Sequence, residues 1–206
     1  TLTNNSARGV ATTNPRNGLP VAASDAANPR GGDMPSPKPD GNPYGHTIRW
    51  SYRRYWTEDT FGWDIFALAG DPDLANPDPN IDSDINGSKY GSPDGIYVAP
   101  SGRLWIQTDV SGSLVNPENR SPIYAAFGNN QMLCADPETR ETRRFLTGPS
   151  ICEITGVFVT PDEKTMFVGI QHPGEAPSGE NNPLNPRRFS SWPDANEHLD
   201  PNDPRF

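Results

Sequence analysis

The sequence predicts an all-β fold: about nine antiparallel strands joined by long Pro-, Gly- and Asn-rich loops, together forming part of a β-propeller. Three observations lead there. Prolines and glycines, 24 and 19 of 206 residues, interrupt regular structure too often for long helices. Short runs rich in aromatic and β-branched residues recur between turn signals, which is the pattern of strands. One stretch also repeats. "DGIYVAPSGRLWIQ", starting at Asp94, aligns with "TGVFVTPDEKTMFVG", starting at Thr155, and Gly95 then falls over Gly156 and Pro100 over Pro161 at a period of 61 residues. Two further strands fit between the copies, so each unit has four antiparallel strands, the unit of a propeller blade. A β-sandwich shows the same alternation strand by strand, and the repeat argues against it.

The elements follow in order, with strands a to d named outwards from the propeller axis. Residues 1–5 ("TLTNN") read as the end of a strand b, since Thr-Leu-Thr has strand propensity. No start signal precedes them, so the chain is expected to be a fragment of a longer one. Residues 6–42 nearly lack large apolar side chains and read as a loop or disordered insertion. "YGHTIRWSY" and "FGWDIFALAG" form a hairpin, strands c and d of the first blade, which takes in residues 1–70. One full blade spans 91–149: "DGIYVAP" and "RLWIQTD" meet at Ser101-Gly102, then "NNQMLCADP" and "ETRRFLTGP" at Glu138-Thr139. Residues 150–173 supply strands a and b of the next blade, and 174–206 read as an irregular tail.

Charge narrows the partners. With 17 basic and 26 acidic residues the net charge is −9, which repels nucleic acid and favours a surface that collects cations. No run approaches the roughly 20 apolar residues that span a bilayer, so no membrane partner is expected, and the opening residues lack the pattern of a signal peptide. Cys134 and Cys152 are too few for a disulfide framework; they read as two buried thiols, with a single disulfide as the alternative.

Candidate ligands come from two places. Asp82-x-Asp84-x-Asn86-Gly87 matches the first half of a calcium loop, but Pro93 stands where the closing glutamate belongs, which leaves either an incomplete loop or a solvated acidic turn. The repeat offers more. Asp94 and Glu153 each stand at the start of a strand a, and strands a line the propeller channel from one face. Strand b returns to that face, bringing Asp109, then Gln171 and His172, then Asn4 and Asn5 of the truncated blade. Asp94, Glu153 and Asp109 are therefore expected to be metal ligands, and His172 and Asn4 to touch substrate. Such oxygens suit a hard cation, which relieves the repulsion among carboxylates. Each residue also has a plainer use: Asp94 opens an ordinary turn tripeptide, and His172 has a loop to hydrogen-bond. Glu153, in an apolar setting, is costly to leave unpaired. His46 and Arg49, on an outer strand, are given surface roles. No Gly-x-Ser-x-Gly elbow, Walker loop or His-Glu-x-x-His occurs.

"NPYGHTIRW", "FGWDIFALAGD", "GSPDGIYVAPSGRLWIQTD", "FGNNQMLCADPETRETRRFLTGP" and "CEITGVFVTPDEKTMFVGIQHPGE", in that order, resemble the C-terminal part of the PhoX-type alkaline phosphatases, from Thr1 to about Trp192. The resemblance implies a six-bladed propeller, secreted or exported to the bacterial periplasm, that hydrolyses phosphate monoesters with calcium and iron at its axis. It also implies that an iron-binding cysteine, an arginine and a glutamate lie upstream of Thr1, so Cys134 and Cys152 are not the iron ligand. This chain is then expected to lack activity, to bind metal weakly or not at all, and to self-associate through open strand edges. A non-enzymatic calcium-binding propeller module and a related lactone or ester hydrolase are the alternatives.

Overall fold

The computed structural model describes residues 1, 44–52, 54–57, 59–73, 83–116, 122–175, 183–185 and 187–193. Among these are nine strands: β1 (His46–Ser51), β2 (Gly62–Leu68), β3 (Asn86–Gly87), β4 (Pro93–Val98), β5 (Leu104–Thr108), β6 (Gln131–Ala135), β7 (Glu141–Thr147), β8 (Glu153–Val159) and β9 (Met166–Gln171). Eight of them fall on the strand-like runs of the sequence. The expected strand at residues 1–5 lies outside the described residues except for Thr1, which is not in a strand.

The strands form three sheets, ordered β1-β2, β3-β7-β6-β5-β4 and β8-β9. β4 to β7 make the antiparallel four-stranded meander expected of a full blade. Two features depart from the expectation of antiparallel strands alone. β3 comes from the acidic loop and pairs with β7 in parallel, Asn86 with Glu141 and Gly87 with Thr142. One helical turn, α1 (Gly112–Val115), follows β5, and a 3-10 turn covers Pro122–Tyr124. Closure into a propeller ring is not seen among the described residues.

Side-chain alternation explains why the sheets stack. Leu104 and Ile106 of β5 and Leu133 and Ala135 of β6 join one core with Phe66, Ala67, Tyr44 and Tyr90, on the side of β1 and β2. Trp105 and Met132, one residue out of phase, turn to the opposite face and join Cys152 and Ile154 with Val157, Val168 and Ile170 of the β8-β9 sheet. The central sheet is thus apolar on both faces, which the period of two in β5 and β6 dictates. β4 and β8 lie against each other in different sheets, as two inner strands of neighbouring blades are expected to do.

Polar ties fix the stacking. Arg49 grips Asp64 through Nε (3.0 Å) and Nη2 (2.7 Å) and donates from Nη1 to the Pro137 carbonyl (2.9 Å). Arg140 joins them, donating to Asp64 Oδ2 (2.6 Å) and the Ile65 carbonyl (2.9 Å), so the β6-β7 turn is bound to β2. His46 is not the surface residue that the sequence led us to expect. It is 4% exposed, because β1 enters the core at its first residues, beside Tyr44, and only its far half emerges.

The half-matched calcium loop serves the fold. Asp84 Oδ1 accepts the Leu68 amide at 2.5 Å and Asn86 lies in β3; Asp82 is outside the described residues. Gly87 has φ +109°, and a side chain there would run into the Thr142 carbonyl. Gly87→Ala is therefore expected to detach β3 from β7 and cost about 1–3 kcal/mol of unfolding free energy. Urea unfolding checks this: an unchanged midpoint would mean that β3 contributes nothing.

Candidate metal centre

Two hairpins bring the acidic residues together, and a bulge in each shapes the approach. β4 and β5 pair Pro93 with Thr108, but the register breaks between Pro93 and Ile96, where Asp94 stands. β8 breaks at the equivalent place, between Ile154 and Gly156, one paired residue beyond Glu153. Bulges re-aim neighbouring side chains. Gly95, in the first bulge, lies so close to the buried Gln107 amide that a Cβ would strike Gln107 Oε1. The repeat seen in the sequence is thus a repeat of bulged strand starts.

Asp109 follows the last residue of β5, and its amide donates to the Ser92 carbonyl at 2.9 Å. The Thr1 hydroxyl donates to the Asp94 carbonyl at 2.7 Å. Carboxylate oxygens of Asp94, Asp109 and Glu153, from three strand ends and two sheets, lie within 4.8 Å of one another. These are the three residues that the sequence picked as metal ligands. His172 stands at the rim with its Nε2 3.7 Å from Glu153 Oε2, next to the Gln171 amide, and its φ of 43° holds it in a left-handed turn. Asn4 lies outside the described residues.

Crowding shows in the electrostatics. Burial raises the Asp109 carboxyl above its ordinary range and the neighbouring Asp94 and Glu175 charges add to the rise, while His172 opposes it. Glu153 is raised for the same reasons: burial first, then Asp109 and Asp94. The carboxylates are held close against their own repulsion. The three carboxylates offer oxygens, a donor type that suits hard cations, with the His172 imidazole beside them.

A pocket of about 310 Å³ opens at the cluster, lined by Asp109, Asn130, Cys152, Glu153, His172 and Glu175 among others. Neither cysteine is disulfide-bonded. Burial pushes the Cys152 thiol up to about 11, so it stays protonated at neutral pH, packed with Met132 and Ile154. Cys134 is only partly buried, unlike the expected pair of buried thiols.

Sequence reasoning missed Asn130 and Glu175. Asn130 is 1% exposed. Its Oδ1 accepts from Thr108 Oγ1 (2.9 Å) and the Val110 amide (2.7 Å), and its Nδ2 donates to the carbonyls of Val110 (2.9 Å) and Cys152 (2.7 Å). Locally, Asn129-Asn130 reads as a turn before a strand, and nothing in it reveals a reach to Cys152. Glu175 follows "HPG", where strand patterning stops.

The chain is thus mostly β, and among the described residues its strand ends gather three carboxylates, Asp94 exposed and Asp109 and Glu153 partly buried. Residues 1–174 match the family described as alkaline phosphatase PhoX, and the chain belongs to that family. Among solved structures it is similar to Pseudomonas fluorescens PhoX in complex with vanadate, a transition state analogue, at 38% identity and a TM-score of 0.67. That likeness covers 96% of this chain but 28% of the solved one. No curated protein matches the chain.

Proposed function

We propose that this chain is one portion of a metal-dependent hydrolase of phosphate monoesters, in which its sheets serve as neighbouring blades of a six-bladed propeller. The observation that carries the reading is the meeting of Asp94, Asp109 and Glu153 oxygens within 4.8 Å, in a chain of the PhoX family. Those three would hold a cation, calcium or ferric iron by donor chemistry. When bound, such cations supply positive charge that neutralises phosphate oxygens and polarises phosphorus.

The chain's own residues do the rest. Asp94 and Asp109 are set by one hairpin and Glu153 by the next, so the packing of two sheets sets the cluster's dimensions. His172, which lines the pocket with its Nε2 3.7 Å from Glu153 Oε2, would contact a substrate oxygen. Positioning of this kind needs every ligand in place. With 28% of the solved PhoX chain represented, the segment is proposed to bind calcium weakly, at the ~10⁻⁴ to 10⁻³ M end of such sites, and to lack turnover alone. A bacterial periplasmic or secreted location is proposed with the family reading.

The test is hydrolysis of p-nitrophenyl phosphate by a longer PhoX-type protein carrying this sequence and by the 206-residue chain alone, each with calcium and with chelator. Turnover is expected from the longer protein with calcium and from nothing else. Chelator-resistant hydrolysis by the longer protein would refute the metal-dependent reading, and turnover by the short chain would refute its incompleteness.

A further inference from the structure

Asp94 and Asp109 belong to the central sheet and Glu153 to the next, and the two sheets share no strand pairing. A three-carboxylate cluster divided between sheets keeps its dimensions only if something fixes one sheet against the other near the cluster. At the far end of the strands that tie is Glu163, whose Oε1 accepts the Ser101 amide at 2.5 Å. At the cluster end it is Asn130.

We propose that Asn130 is a positioning residue that sets the separation of Asp109 from Glu153 for cation binding. The inference rests on the reading of those carboxylates as ligands. Asn130 holds both neighbours of Asp109, Thr108 through its hydroxyl and Val110 through both its amide and its carbonyl. With the remaining Nδ2 hydrogen it holds the carbonyl of Cys152, the residue before Glu153.

A side-chain amide has two donors and two acceptor lone pairs, and all four are used here. Its orientation is therefore fixed. The Oδ1 side takes the Thr108 hydroxyl and the Val110 amide, and turning the amide over would set Nδ2 against that amide donor. Thr108 Oγ1 in turn accepts the Gln131 backbone amide at 2.9 Å while donating its own hydrogen to Asn130 Oδ1. The Asn130 carbonyl accepts the Gly148 amide at 2.8 Å, anchoring the residue's backbone to the end of β7.

Other residue types fail for definite reasons. Aspartate lacks the donors for Val110 and Cys152 and adds a charge beside the carboxylates. Serine is too short to span from Val110 to Cys152. Leucine would leave three buried backbone groups and the Thr108 hydroxyl without these partners. Asn130 also lines the pocket without offering it a free polar atom, so its part is to hold the carbonyls and amides that carry the ligands. Groups that orient metal ligands in this way typically change affinity by roughly 10- to 100-fold when lost.

The experiment is calcium calorimetry on the wild type, Asn130→Ala, Asn130→Ser, Leu133→Ala and the pair Asp109→Asn with Glu153→Gln, with a melting curve for each. Leu133 is fully buried on the other face of the central sheet, so its truncation destabilises the fold without touching the cluster. Asn130→Ala and Asn130→Ser are expected to weaken calcium binding about 10-fold or more, while Leu133→Ala keeps wild-type affinity despite a lower melting temperature. Should Asn130→Ala fail to fold, the milder Asn130→Ser carries the comparison. Wild-type affinity in a folded Asn130 variant, with the carboxylate pair inert, overturns the positioning role and leaves the site standing. Weakening by Leu133→Ala equal to that of Asn130→Ser assigns the effect to general stability and overturns it too. Identical heats for the wild type and the carboxylate pair bring down the site and, with it, Asn130's part.

Discussion

Asp109→Asn combined with Glu153→Gln is expected to abolish the thermal stabilisation that calcium gives this chain. A ligand that binds only the folded state stabilises it by RT ln(1 + [L]/Kd), so 10 mM calcium against a Kd of ~10⁻³ to 10⁻⁴ M adds about 1.4–2.7 kcal/mol. In a chain of this length each kcal/mol moves the melting point by roughly 2–4 °C, so the wild type is expected to gain ~3–11 °C. The paired variant keeps the volume of both side chains and removes two of the three charges that face one another. It is expected to gain nothing. Magnesium serves as the control, because it demands octahedral geometry and gives up its waters reluctantly. An equal calcium-induced rise in both proteins would show that the cation binds elsewhere on the acidic surface.

The three carboxylates were legible in the sequence because a tandem repeat converts linear position into spatial position. Once Gly95 is laid over Gly156, the residues at the strand starts must lie on one face whatever their separation along the chain. Eight strands were legible too, since runs such as β5 and β6 alternate side chains with a period of two and are bounded by turns such as Ser101-Gly102, which precedes β5. The strand β3 was not. Two residues leave no periodicity to read, and their pairing with β7 depends on where a long acidic loop returns.

His46 failed for a related reason. Its strand was identified correctly, but which end of β1 enters the core is settled by Tyr44 packing on Tyr124 and Phe127, two rings that lie far from it in the sequence. Asn130 shows the limit most plainly. A fully buried amide that joins Val110 to Cys152 leaves no local signature, because its partners are backbone groups and any residue supplies those.

Without metal, the wild type is expected to lose stability relative to the paired variant as pH rises from about 4 towards neutrality. Asp109 and Glu153 have folded-state values raised above those of an unfolded chain, near 3.9 for Asp and 4.3 for Glu. Their contribution to stability is fully present below the unfolded values and is lost as pH rises through the folded ones. The variant, carrying neutral amides, has nothing to lose there. Asp64 works in the opposite sense, since its hydrogen bond from Arg49 lowers its value and its contribution disappears as pH falls. A wild-type profile alone therefore mixes opposing trends. The difference between wild type and variant isolates the pair, because Asp64 is common to both. After chelation and removal of the chelator, melting curves from about pH 4 to 7 are expected to start together and then separate, with the variant melting higher at pH 7. Calcium at pH 7 should reverse the order, since the charges that strain the empty cluster are the ones that bind the cation. A wild type that melts higher than the variant at pH 7 without metal would mean that Asp109 and Glu153 are paired with cationic partners in the folded chain, and the account of a strained carboxylate cluster would fail.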